Sequence, residues 1–268
     1  MKLGPLLALV TCAALAVGCG RSSPSGGGAA SGGGAVTPDG AAAVAEATAP
    51  LEVITLGAAP AAATATVVLL HGYGAGGDDL VGLARALPVP ATVRFVIPAA
   101  PLALAAAGTS RAWWRLDGGP RGAAHDRSEE VPAGLAAARA QVDALLDGLE
   151  AEGARRIVLG GFSQGAMLTL DVALHRARPL AGLAVLSGTR VNGAAWRAHL
   201  DRVRGTPVLI SHGTDDAVLA FAVARDLRDE LTAAGAAVEW VEFPGGHAIP
   251  AETRARLAQL ITRVASPP

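Results

Sequence analysis

Arg156-Ile157-Val158-Leu159-Gly160-Gly161-Phe162-Ser163-Gln164-Gly165 passes from a β-branched apolar run, through Gly-x-Ser-x-Gly, into an apolar helical pattern. This is the strand, sharp turn and helix in which a serine stands exposed as a nucleophile. The pentapeptide alone is weak evidence. With 34 glycines and ten serines in 268 residues, chance supplies about one match in six such chains. Company in the right order strengthens it. Asp215-Asp216 follows one later apolar run, His247 follows the last, and His71-Gly72 lies upstream.

Working outward, apolar β-branched runs alternate with Ala/Leu-rich helical stretches, the pattern of a mostly parallel sheet with helices on both faces. The predicted strands are Leu51–Leu56, Thr66–Leu70, Thr92–Ile97, Arg156–Leu159, Ala181–Leu186, Pro207–Ser211 and Val238–Phe243. The predicted helices are Asp79–Leu87, Pro132–Glu150, Gln164–His175, Phe221–Ala234 and Pro250–Val264. Residues Pro98 to Val131 show no clear period, and their length marks them as a candidate functional loop.

The amino-terminal fifty residues read differently. Met1-Lys2 and the apolar stretch Leu3 to Val17 form a signal-peptide pattern too short to span a bilayer comfortably. Leu15-Ala16-Val17-Gly18-Cys19 resembles a bacterial lipobox, so residues 1–19 are expected to be a lipoprotein-type signal with Cys19 lipidated; ordinary secretory cleavage nearby is the alternative. Residues 20–50 are rich in Gly, Ala, Ser and Pro and are expected to be a flexible tether. Residues 51–268 suffice for one domain with a sizeable core. Export follows from either reading of the signal, with membrane attachment through Cys19 expected from the first.

Composition excludes several chemistries. Both cysteines, Cys12 and Cys19, fall in the targeting segment, leaving the domain no disulfide, thiolate nucleophile or Cys-metal site. Net charge is −1, with acids and bases interspersed, so no nucleic-acid partner is indicated.

Each motif lies just past the carboxyl end of a predicted parallel strand, the edge at which open α/β sheets bind ligands. Ser163 needs a neighbouring base to become nucleophilic. His247, after Pro244-Gly245-Gly246, is the best placed of six histidines, and imidazole is the natural proton shuttle for acyl transfer. His175 lies on a helix, His199 in an Arg-rich stretch and His125 in the irregular loop, while His71 and His212 precede turn glycines and are expected to brace backbone. The acid that orients the base is Asp215 or Asp216, which spacing does not separate. One oxyanion donor is the N–H of Gln164, and the other is expected from His71-Gly72-Tyr73-Gly74. The chain order serine, aspartate, histidine is that of α/β-hydrolases.

Together these residues resemble the phospholipase/carboxylesterase family, which includes acyl-protein thioesterases and small bacterial serine esterases. The resemblance runs from about Val53 to Val264. It is carried by His71-Gly72-Tyr73-Gly74 with Asp78-Asp79-Leu80, by Ala112-Trp113-Trp114 and by Gly161-Phe162-Ser163-Gln164-Gly165-Ala166. His212-Gly213-Thr214-Asp215-Asp216 and Gly246-His247 complete it. Ala217 and Ala220 stand where the family often has Pro, and Trp114 where Phe is usual.

The resemblance implies an α/β-hydrolase fold without a large cap domain and a triad of Ser163, His247 and Asp216. The oxyanion donors it implies are the N–H groups of Tyr73 and Gln164. It places Trp113 near the substrate, with Trp114 reshaping the acyl pocket; packing under the loop is the competing reading for these indoles. The activity implied is hydrolysis of small carboxylic esters with no metal or cofactor. Thioesterase or lysophospholipase activity on the same triad is the near alternative, and a non-catalytic, surface-tethered binding protein of the same fold is the distant one.

Overall fold

Ala65-Thr66-Val67-Val68-Leu69-Leu70 is buried along its whole length, as a strand covered by helices on both faces must be. Side chains alternate between faces: Val68 and Leu70 join one core cluster, Val67 and Leu69 the other. The computed structural model describes residues 49–105, 108–116 and 126–266. The expected signal peptide, Cys19, nearly all of the tether and His125 lie outside the described residues.

Seven strands form the main sheet: β1 (Val53–Gly57), β2 (Ala65–Leu70), β3 (Val93–Pro98), β6 (Ile157–Phe162), β7 (Gly182–Leu186), β8 (Pro207–Gly213) and β9 (Ala237–Phe243). Their order is β1-β3-β2-β6-β7-β8-β9, and every pairing is parallel except β1 with β3. β4 (Leu102–Ala103) and β5 (Arg111–Ala112) pair separately, inside the stretch expected to be irregular. The chain leaves β2 toward β3 on one side, then returns to lay β6 on the other. Loops leaving β2 and β6 therefore diverge, which opens a crevice at the carboxyl ends of these neighbours. The 71–74 and 162–165 motifs emerge there.

The helices are α1 (Val81–Ala86), α2 (Leu135–Ala151), α3 (Gln164–His175), α4 (Gly193–Arg197), α5 (Phe221–Ala233) and α6 (Ala251–Ala265). Apolar residues of α2, α3 and α5 fill the core on one face of the sheet, and those of α6 with Ala84 of α1 fill the other. Nearly the whole of α3 is buried, from Gln164 to Leu174, as expected of a helix apolar on all sides. Its one buried charge, Asp171, accepts from Arg139 Nη1 and Trp196 Nε1, each at 2.8 Å. Among the described residues, no helix is long and apolar enough to cross a membrane.

Departures from expectation are local. α1 starts two residues late because Gly76 to Leu80 is spent in turns, with Asp79 N–H bound to Gly76 O and Val81 N–H to Asp78 O. α2 starts three residues late because Gly134 takes left-handed backbone, φ 92°. The sequence pattern misses α4, whose five residues are too short to show a period. It forms because Trp196 is fully buried against the core.

Candidate active site

Between β6 and α3 a single residue remains, Ser163, with φ 54° and ψ −115°. A side-chain-bearing residue at such a φ carries roughly 1–3 kcal/mol of strain and persists only where its surroundings over-determine it. Here they do. A Cβ on Gly161 would strike the Gly165 carbonyl, and one on Gly165 would strike the carbonyl oxygen of Leu70, so helix and strands meet backbone to backbone. Ser163 N–H is tied to Leu186 O at 2.9 Å.

Gln164 opens α3, so its N–H has no carbonyl one turn back to bind and sits at the positive end of the helix dipole. Its side chain faces the other way. Oε1 accepts from Trp113 N–H at 3.0 Å, and Nε2 donates to Trp114 O at 2.9 Å, all in the interior. Gly72 lies beside Ser163: a Cβ there would sit 3.3 Å from the serine Cβ. That closeness brings the loop carrying Tyr73, which is half-buried, to the serine.

The loop is braced throughout. Ala100 N–H donates to His71 Nε2 at 3.0 Å, which leaves the proton on Nδ1, 2.9 Å from Gly72 O. Burial pushes the His71 imidazole down in pKa and favours this neutral form. Trp113 Nε1–H donates to His71 O at 2.9 Å, and Gly74 N–H to Arg111 O at 2.9 Å.

The acid and the histidine come from adjacent turns after β8 and β9. Thr214 N–H binds Phe243 O at 3.0 Å and Asp215 N–H binds Gly245 O at 2.9 Å. Gly213 packs so closely that a Cβ would collide with the Gly245 and Gly246 carbonyls. Across this seam His247 Nδ1–H donates to Asp216 Oδ2 at 2.7 Å. The Asp216 side chain is fully buried, whereas Asp215 is exposed and accepts from Thr214 Oγ1 at 3.3 Å. The structure thus separates two acids that spacing could not.

Asp216 Oδ1 also accepts from Val218 and Leu219 N–H, at 2.8 and 2.9 Å. Burial by itself would raise this carboxyl. The hydrogen bonds from His212, His247 and Leu219 N–H outweigh it and hold Asp216 well below the usual carboxylate range. A neutral imidazole whose Nδ1–H is engaged in this way keeps Nε2 as its acceptor. The His247 ring lies 4.8 Å from that of Phe162, next to Ser163, and Ser187 Oγ anchors its loop by donating to Ala248 O at 3.0 Å.

Trp113 and Trp114 are placed differently from the substrate-binding expectation. Each is 1% exposed, so they pack in the core as the competing reading had it and hold Gln164 and His71 rather than forming an open pocket wall. His212 braces backbone as expected, through Leu219 O, while two contacts escaped the sequence pattern: those of the Gln164 side chain, and that of His212 with the acid. The i,i+4 spacing of His212 and Asp216 across a turn was the available signal for the second. His175 and His199 face each other at the far end of α3, their rings 5.2 Å apart.

Gln164→Leu strands a buried N–H and a buried C=O, each worth about 1–3 kcal/mol when unsatisfied. The thermal midpoint is expected to fall by about 2–4 °C per kcal/mol in a domain of this size. A midpoint within 1 °C of wild type in thermal denaturation would contradict the clamp.

With the geometry in view, the sequence profile described as Phospholipase/Carboxylesterase matches residues 52–264. An acyl-protein thioesterase 1 of Yarrowia lipolytica is 29% identical over 200 residues, 70% of this chain and 86% of that protein. One from Eremothecium gossypii is 32% identical over 196 residues, 69% and 79% of the two chains. Among solved structures, esterase PE8 superposes with TM-score 0.67 at 28% identity, covering 81% of this chain and all of the other. Arabidopsis thaliana SOBER1 gives TM-score 0.63 at 26% identity, with coverage of 75% and 99%. The chain belongs to the phospholipase/carboxylesterase family, serine hydrolases of the α/β-hydrolase fold.

Proposed function

We propose that this protein hydrolyses carboxylic esters through an acyl-serine intermediate, with Ser163 as nucleophile, His247 as general base and Asp216 as the acid that orients the base. The observation that carries this reading is the 2.7 Å bond from His247 Nδ1–H to the buried Asp216 carboxylate, beside a serine held at φ 54°.

Ser163 Oγ attacks the ester carbonyl as its proton passes to His247 Nε2, and the imidazolium so formed is stabilised by Asp216. In this reading, charge developing on the carbonyl oxygen is met by the N–H groups of Gln164 and Tyr73. His247 then protonates the leaving alcohol, and the same imidazole removes a proton from the water that cleaves the acyl-serine. Thioester hydrolysis uses the same atoms with a thiol leaving group. The acyl-protein thioesterases among the relatives favour it as the second reading. Export with attachment through a lipidated Cys19 remains part of the proposal, supported by the residue pattern of 1–19.

Ser163→Ala is expected to lower turnover of p-nitrophenyl esters by about 10³-fold or more while the protein stays folded. A fluorophosphonate should add once to the wild type, on Ser163 by intact mass and peptide mapping. Turnover within tenfold of wild type in the variant would sink the nucleophile assignment.

Asp216→Asn is expected to lose about 10³–10⁴ in kcat, while Asp215→Asn stays close to wild type. The reverse order would move the acid by one residue. The Asp216 carboxyl is depressed, so its contribution to stability is complete above the unfolded value near pH 4. That contribution is lost only as pH falls through the lower folded value. The acid limb of kcat/KM therefore reports protonation of the imidazole base, and a profile flat from pH 5 to 8 would contradict the mechanism.

For the anchor, Cys19→Ser in the full chain should move the protein from the membrane to the soluble fraction of the expressing cells. Unchanged membrane association would remove the lipid from the proposal.

A further inference from the structure

His212 is completely buried one turn from the acid, and Asp216 Oδ2, which accepts from His247 Nδ1–H, has a second imidazole nitrogen within reach. Nε2 of His212 lies 3.0 Å from Leu219 O and 3.2 Å from Asp216 Oδ2. Both of these atoms are acceptors, so the neutral ring carries its proton on Nε2. Nδ1 is buried and meets no hydrogen-bond partner among the described residues. Among the described residues no acceptor stands ready for a proton at Nδ1, which selects the Nε2–H form.

Around the carboxylate stand two backbone N–H groups on Oδ1, His247 Nδ1–H on Oδ2, and, 3.2 Å from Oδ2, the His212 Nε2–H that also meets Leu219 O. An ionised carboxylate has about four acceptor directions; three carry hydrogen bonds here, and His212 Nε2–H stands closest to the fourth. Leu219 clamps both partners, its N–H bound to Asp216 Oδ1 and its carbonyl to His212. The titratable groups that bear on Asp216 are these two histidines.

We propose that His212 is a positioning residue for the reaction: its shared Nε2–H fixes the rotation and charge of the Asp216 carboxylate, which in turn aligns His247. This rests on the ester-hydrolysis reading above. The consequence for pH dependence has a definite sign. Without the His212 donor, more negative charge remains on Oδ2 facing His247, the base binds a proton more tightly, and the acid limb of kcat/KM moves to higher pH. A residue that merely supported the loop would lower activity at every pH and leave the limb in place.

The test compares full-length wild type, His212→Leu and His212→Gln on a p-nitrophenyl ester from pH 5 to 9. Gln can place an amide N–H near the position of Nε2. For His212→Leu the expected result is a fall in kcat of about tenfold or more, a KM within threefold, and an acid limb raised by about half a pH unit or more. His212→Gln should recover most of both. A wild-type kcat in His212→Leu, or a uniform loss with the limb unmoved, would overturn the proposal.

Should His212→Leu fail to fold, histidine ¹⁵N shifts of the wild type at pH 7 decide the matter. His212 protonated on Nε2 and bare at Nδ1 supports the shared donor, and the opposite tautomer overturns it. A wild type that neither turns over ester nor takes a fluorophosphonate on Ser163 would instead fail the ester-hydrolysis reading, a result separate from the ¹⁵N assignment.

Discussion

The site depends on how closely α3 approaches the sheet at its amino end. Gly161 and Gly165 let helix and strands touch through their backbones, and any Cβ there would drive them apart. That contact forces the intervening serine to a positive φ and leaves the first helical N–H without a carbonyl one turn back. One steric constraint thereby produces a raised hydroxyl and a neighbouring donor. Nearly complete burial of α3 supplies the packing that keeps the strain in place.

Around this fixed point the other loops are held by buried polar groups with complete or nearly complete partner sets. Gln164 secures Trp113 and Trp114, Trp113 secures His71, and His71 secures Ala100. Ser187 secures the loop of His247, and His212 secures that of Asp216. Each hydrogen bond contributes only about 1 kcal/mol net, but an interior group left without its partner costs more than the bond contributed. The asymmetry explains how short loops of small residues stay in register without disulfides or long apolar contacts. It also explains why the aromatic pair sits in the core: the indoles supply volume, and that of Trp113 supplies an N–H where the loop after β2 needs a brace.

Electrostatics follow from the same geometry. Asp216 lies in the interior yet stays ionised because three hydrogen-bond donors, with His212 Nε2 close by, replace the water it has lost. Asp215, one residue earlier, remains in solvent and takes a single bond from Thr214. Two identical side chains in sequence become a buried acceptor and a surface carboxylate solely through the direction of a turn.

The residue pattern by itself determined the layered α/β class, the central strands to within about three residues at each end, and the candidate serine, histidine and acid pair. These follow from short-range rules: period-two and helical periodicity, burial of apolar runs, and the small residues demanded by a sharp turn. The antiparallel course of β1 was not legible because its partner β3 lies some forty residues away in sequence. The five-residue α4 and the two-residue β4 and β5 were not because they are too short to show a period. Tertiary structure alone decided that Asp216 meets the histidine while Asp215 does not, that Trp113 and Trp114 turn inward, and that His212 shares the carboxylate. The physical reason is the same in every case. Chain spacing specifies which residues reach the crevice, but the side chain that enters it is chosen by the packing of β8 against β9 and of α3 against β2 and β6.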